Sequence, residues 1–231
     1  MRNMARNPKR RAMTTVNWKE ASPDIILDFW FPDNGHEASL ETHRDFWVWR
    51  MRGGADEAIC SDFAELTEAA ARGLLDHWAQ TPYGRLALVI ALDQFPRSLW
   101  RGTPGAYAQD IKAARLVLEA FENGHFGALK HPWEKQFYLI SIGHCEGLDH
   151  LKRMRMLRPY ALAILEEAPK HLIPSYRRSL EQNDIVTGVI ERFGRHPHRN
   201  AILGRVSTAD EEAYIAAGEF PHEREIPKTL I

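Results

Sequence analysis

Cysteine is nearly absent from this 231-residue chain: Cys60 and Cys145 are the only two. They form no Cys-x-x-Cys pair, and no His-Glu-x-x-His run occurs, so the familiar zinc and dithiol spacings are missing. Both thiols fall in helix-like stretches, which suits reduced cysteines in a cytosolic setting. No apolar run approaches the roughly 18 residues of a membrane span. The N-terminus lacks the apolar core of a secretory signal. Strand-like alternation of apolar and polar residues is also missing, which leaves an all-α chain as the expectation. No recognisable nucleophile stands out. Cys145 sits beside His144, but adjacent helical residues point about 100° apart, so a buried inert thiol is expected there.

Charge is close to balance, with 30 lysines and arginines against 31 acids, but it is unevenly placed. Arg2, Arg6, Lys9, Arg10 and Arg11 lie in the first eleven residues without an acid among them, and Met13 offers an alternative start. The remaining 25 bases face 31 acids, so the body is net acidic. That argues against a general nucleic-acid surface, leaving only the basic tail for such contacts. Residues 1–20 read as a disordered tail, residues 21–218 as one helical domain, and residues 219–231, with Pro221 and Pro227, as an extended tail.

Helix punctuation runs through the body. Ser22-Pro23-Asp24 and Thr81-Pro82 pair an N-cap with proline at the first helical position. The first of these opens a short helix through Phe31 that stops at Pro32, and Asp33-Asn34-Gly35 forms a turn. A second helix covers 39–52, and a long amphipathic one is expected over 55–72, with Ile59, Phe63, Leu66 and Ala70 on one face. Tyr83–Phe95 is apolar on nearly all sides, the mark of a helix at the centre of a fold. Further helices follow to Asn123, from about 131 to 143, over 148–167 with a kink at Pro159, and over 174–193 with Gly194 as a left-handed cap. Thr208-Ala209-Asp210-Glu211 is a capping box. The architecture expected is a succession of antiparallel helix pairs.

The chemistry-bearing residues gather in three blocks. Residues 191–200 carry Arg192, Arg195, Arg199, His196 and His198, with only Glu191 to offset them. Asp93 falls in the last turn of its helix, where the dipole disfavours a carboxylate, so it needs a cation: Arg97, Arg101, or one of the distant arginines. His144 and Glu146 form the third block. One outcome is a partly buried network that ties these helices together. In the other, Asp93, Arg97, His144, Glu146, Arg192, Arg195, His198 and Arg199 line a cleft for an anionic small molecule or a partner. There a carboxylate orients a histidine, which makes a small-molecule hydrolase a further alternative. Glu146 and His150 share a face for a metal only if one helix spans both; no metal or cofactor is expected. A solenoid module for a peptide or partner protein would instead use exposed Trp47, Trp49 or Trp78.

Three segments together resemble the family called domain of unknown function 924: Leu92-Asp93-Gln94-Phe95-Pro96-Arg97 with Arg101-Gly102-Thr103; Gly143-His144-Cys145-Glu146; and Arg192-Phe193-Gly194-Arg195 with Pro197-His198-Arg199-Asn200. Leu27-Asp28-Phe29-Trp30-Phe31 and Ser207-Thr208 with Glu211-Glu212 fit as well. The resemblance covers roughly residues 22–218. It implies a bacterial protein with a tetratricopeptide-repeat-like solenoid of stacked helix pairs, and it brings no established activity. His196, Gly147 and Cys145 stand where the family pattern carries an aromatic, an acid and a serine.

Overall fold

The computed structural model describes residues 15–32 and 39–218. The basic N-terminal residues, the Asp33-Asn34-Gly35 turn and the stretch containing Pro221 and Pro227 lie outside the described residues. Within them the chain is all helical, with no strand. No helix among the described residues is long and apolar enough to cross a membrane.

The centre is α5, Pro82–Asp93. Thr81 Oγ1 accepts from Gly84 N at 3.1 Å, and Pro82 occupies the first turn, where its missing N–H costs nothing. Every residue from Gly84 to Asp93 is buried, as the apolar composition requires. Gly84 is needed there, because a Cβ would fall 2.2 Å from the Trp78 carbonyl oxygen. Around α5 stand α1 (Asp24–Trp30), α4 (Ala64–Ala71), α7 (Asp110–Glu122), α8 (His125–Ala128) and α9 (Pro132–His144), each in contact with it. An aromatic cluster of Phe29, Trp30, Phe63, Phe95 and Phe137 joins α1 to the ends of α5 and the middle of α9. The rest of the chain builds outward from α9: α10 (His150–Glu167) packs on α9, and α11 (Ile173–Phe193) packs on α10.

Several boundaries differ from the sequence reading. The 55–72 helix is two, α3 (Asp56–Asp62) and α4, because Phe63 leaves helical geometry with φ −109° and ψ 5°. The break turns Phe63 onto Phe29 and Phe95, at ring distances of 4.7 and 5.2 Å. Pro96 cannot continue α5, so a separate short helix, α6, runs Phe95–Leu99. Pro159 sits inside a single helix, α10, which does not restart there. Residues 15–20 do not belong with a disordered tail: Val16 N donates to Asp62 O at 2.8 Å, and Val16 and Trp18 pack on the core. α2 (Leu40–Met51) and α12 (Ala209–Ala217) form where expected, capped by Ser39 and by the Thr208–Glu211 box. Gly194, at φ 70°, ends α11 as a left-handed cap.

Because α5 holds the surrounding helices together, its side chains carry much of the stability. Leu88→Ala removes a fully buried side chain and is expected to lower unfolding free energy by about 2–5 kcal/mol. A urea titration followed by circular dichroism measures it, and a loss of less than about 1 kcal/mol would contradict the central role of this helix.

Candidate functional site

The polar blocks meet at the C-terminal ends of α5 and α9. A helix end leaves its last carbonyls without intrahelical donors and carries a partial negative charge. At α9 the donors arrive from the side. Arg153 donates to Cys145 O at 2.8 Å and, more loosely, to Ile142 O at 3.4 Å. His150 Nε2 and His196 Nε2 both donate to Gly143 O, at 3.1 and 2.9 Å. Arg199 Nη1 donates to His144 O at 2.8 Å. A carbonyl acceptor requires both histidine Nε2 atoms to carry hydrogen. The turn after α11 is therefore the cap of α9. The following Pro197–Arg199 turn of 3-10 helix fixes the spacing between His196 and Arg199.

Asp93 ends α5 beside this cap. Its carboxylate lies 3.1 Å from Arg97 Nη1 and 3.0 Å from His144 Nδ1, and Gln94 also donates to it. With cationic and amide donors already directed at that carboxylate, His144 Nδ1–H is the donor, which fixes its tautomer. Burial pushes the Asp93 pKa up, against the pull of Arg97. Burial, then the charges of Arg97 and Arg199, hold His144 well below its ordinary pKa, so its ring is neutral. A carboxylate-oriented histidine, one of the arrangements expected from sequence, is thus present as Asp93–His144.

The other pairings depart from expectation. Asp110, at the start of α7, accepts from Arg97 Nη2 at 2.9 Å and from Arg199 Nη1 at 3.3 Å. Desolvation raises its pKa to about 6 despite Arg97. Tyr107 lies under both guanidinium groups, 4.5 Å from Arg199 and 5.8 Å from Arg97. Glu146 does not neutralise an arginine of the cationic turn: it takes Arg205 at 2.5 Å and the backbone N–H of His196 at 2.7 Å. Arg195 pairs with Glu211 at 2.6 Å, and this hydrogen bond draws the Glu211 pKa down to about 2. Arg101 pairs with Asp56. Arg192 stands apart, exposed, with its guanidinium 4.6 Å from the Phe193 ring. His198 is half-buried beside Arg199, and burial and that charge lower its pKa to about 4.

The open cleft expected from sequence gives way to a closed network around most of these side chains. Arg97, Arg153, Arg195, Arg199 and Arg205 are each within salt-bridge distance of Asp93, Asp110, Asp149, Glu211 or Glu146. One edge escapes. The Arg199 side chain is 4% exposed, and its hydrogen bonds to Asp110 and His144 O both leave from Nη1. Its Nε is buried and without a partner among the described residues. The Nε–Nη2 edge, the side of a guanidinium that matches a carboxylate or phosphate, is not used.

Asp110, Tyr107, Arg153 and Arg205 were not among the candidates from sequence, and His150 entered only as a metal partner for Glu146. Only Glu211 had a local signal, and it pointed to a capping box. Glu146 and His150 are not on one helix, since α9 stops at His144 and α10 starts at His150. Among the described residues no cluster of three metal-ligating side chains is found. Cys145 is buried, and burial raises its thiol pKa, which disfavours the thiolate. Trp78 is buried, while Trp47 and Trp49 are half-buried against Phe137 and Phe29, so these tryptophans do not line an exposed groove. Two shallow grooves of about 270 and 340 Å³ lie beside Trp18 and Arg72 and beside Arg192 and Asp210, away from Asp93 and His144.

The family described as "Bacterial protein of unknown function (DUF924)" matches residues 26–219. No curated protein matches the chain. A solved structure of a protein of unknown function, ATU0120 from Agrobacterium tumefaciens, is similar at 27% identity with a TM-score of 0.60. The match covers 85% of this chain and 97% of that one.

Two tests follow from the network. Asp110→Asn leaves Arg97 and Arg199 facing each other with one shared carboxylate removed. Losing one partner from a buried ionic cluster costs about 3–5 kcal/mol, which chemical denaturation would register; an unchanged midpoint would contradict the shared role of Asp110. The second concerns pH. His144, His150 and His198 have folded pKa values below their unfolded ones, the last two at about 4. Such groups take up protons on unfolding, so stability falls as pH drops from 6.5 towards 4. Asp93 and Asp110 are raised and work the other way, Asp110 as pH falls through about 6, but three histidines outweigh two aspartates. The urea midpoint is therefore expected to be lower at pH 5 than at pH 7.

Proposed function

The chain belongs to the DUF924 family, which attaches no activity to it, and we propose that the corner around Arg199 binds a small anion. The observation that carries this is the buried, unpartnered Nε of Arg199 beside an unused Nη2. A guanidinium fork presents two parallel N–H groups to a carboxylate or phosphate oxygen pair. A buried donor without an acceptor costs about 1–3 kcal/mol, and an incoming oxyanion removes that cost. Tyr107 supplies a flat floor under Arg199, while Arg97, 20% exposed, and half-buried His198 border it. Asp93, His144 and Asp110 act from behind, by fixing the two arginines. Glu146 and Arg195 hold the turn in place. Arg192 contributes only surface charge.

The hydrolase alternative draws on the Asp93–His144 pair. Its depressed basicity and burial weigh against general-base work at neutral pH, so ligand binding is the reading preferred here. We read residues 21–218 as one domain, supported by a single core running from Ile26 to Ile190. The successive packing of α9, α10 and α11 supports a tetratricopeptide-repeat-like stack in that part of the chain. The many neighbours of α5 differ from a one-dimensional repeat array, in which each unit touches only the next. A cytosolic protein remains the setting we propose.

Calorimetry with acetate and inorganic phosphate at matched ionic strength tests the site. Wild type is expected to bind one of them, and Arg199→Lys, which keeps the charge and loses the fork, is expected to weaken binding at least about tenfold. Circular dichroism establishes that the variant is folded, and Tyr107→Leu, which removes the ring under Arg199 and leaves its ion pairs in place, serves as the second variant and is expected to weaken binding as well. If neither anion binds wild type, the reading fails.

A further inference from the structure

Among the described residues the cationic corner is electrically balanced before any ligand arrives. Arg97 lies 3.1 Å from Asp93 and 2.9 Å from Asp110, and Arg199 lies 3.3 Å from Asp110. Two cations thus meet two anions. The flanking arginines are matched as well, Arg205 with Glu146 at 2.5 Å and Arg153 with Asp149 at 3.1 Å. The histidines add no charge. Burial, then the neighbouring guanidinium groups, depress the basicity of His144, His150 and His198, so all three are neutral at pH 7. One donor still has no acceptor: Arg199 Nε, on a side chain 4% exposed. The corner lacks a hydrogen-bond acceptor and has little spare positive charge to offer with it.

Resting on the anion site proposed above, we infer that its ligand is a singly charged carboxylate, and that Asp110 turns doubly charged anions away. One carboxylate oxygen satisfies Arg199 Nε and takes the corner from balance to a single negative charge. A phosphate or sulfate dianion makes that imbalance two. The repelling charge is close, because Asp110 already accepts from the guanidinium that the ligand must use. Asp93 stands behind it, linked through Arg97. Like charges repel more strongly when buried, since little water screens them. Each further unit of charge on the ligand repeats that cost. Shape points the same way. A planar carboxylate pairs with a guanidinium in its own plane. A tetrahedral oxyanion also projects oxygens out of that plane, and the Tyr107 ring, 4.5 Å from the Arg199 guanidinium carbon, limits the room on one side. A neutral carbonyl could accept the same hydrogen bond, but a charge-assisted one is roughly twice as strong.

Calorimetry on the full chain with acetate, sulfate and acetamide at matched ionic strength tests the assignment. At pH 8 acetate is expected to bind at least about tenfold more tightly than either of the others. Burial lifts the Asp110 pKa to about 6. Arg97, Asp93 and Arg199 are the charged groups that face it, with the Cys145 thiol further off. At pH 5.5 Asp110 is largely protonated while acetate remains ionised. The preference for acetate over sulfate is then expected to shrink at least about threefold, because a dianion recovers twice the repulsion that a monoanion does. Asp110→Asn, once circular dichroism shows it folded, is expected to give the same narrowing at pH 8; the pH comparison needs no variant. Sulfate binding as tightly as acetate at pH 8 overturns the charge assignment and leaves the anion site standing. A preference that is the same at pH 8 and pH 5.5 overturns the role of Asp110. Acetamide matching acetate, or no binding of acetate and sulfate alike, overturns both this inference and the anion site.

Discussion

The C-terminal end of α9 is the constraint on which this corner of the molecule depends. Three successive carbonyls, from Gly143 to Cys145, take their donors from side chains, while Ile142 O accepts from Cys145 N at 3.3 Å. Leaving a buried carbonyl unpaired costs about 1–3 kcal/mol. The solution is unusual in using side chains from two directions: His150 and Arg153 from the helix that follows, and His196 and Arg199 from a turn some fifty residues on. The dipole of α9 favours positive groups at that end, which accounts for Arg199 in this turn, with His196 as a further donor.

Bringing those cations together creates a second requirement. Arg97 and Arg199 approach the same aromatic ring and the same aspartate, and each disfavours the other's charge, as the lowered pKa of Arg199 records: burial first, then Arg97. Asp93 and Asp110 answer this by coming from the end of α5 and the start of α7. Glu146 and Glu211 pin the neighbouring turns through Arg205 and Arg195. Most of the positive charge is spent inside the protein. Among the described residues the Arg199 Nε is left without an acceptor, and the corner is quite unlike an open basic surface.

Part of this was legible beforehand. Asp93 at the end of a helix announced its need for a cation, and Arg97, one turn away, is among the groups that meet it. The Thr208–Glu211 box formed as its spacing requires. The choice of Asp110 for Arg199 was not legible, because 89 positions separate them and nothing near Asp110 distinguishes it from the other acids. The same holds for Tyr107, whose ring becomes a platform only once α7 is docked on α5. Glu146 looked like a counter-charge for the cationic turn and instead binds Arg205 and a backbone N–H, since the turn presents its backbone to that carboxylate.

The sequence by itself determined that the chain is helical, where most helices start and stop, and which helix lies at the centre. Those properties follow from local rules: caps, proline, glycine and the distribution of apolar residues over a few turns. It also determined that the arginine- and histidine-rich turn would need partners. Only the tertiary structure decided which partners, and that nearly all of the charge would be consumed in capping α9 and in cross-helix pairs. The reason is physical: hydrogen bonds and ion pairs require approach to within a few ångströms. Which groups approach is set by how whole helices pack, not by their spacing along the chain.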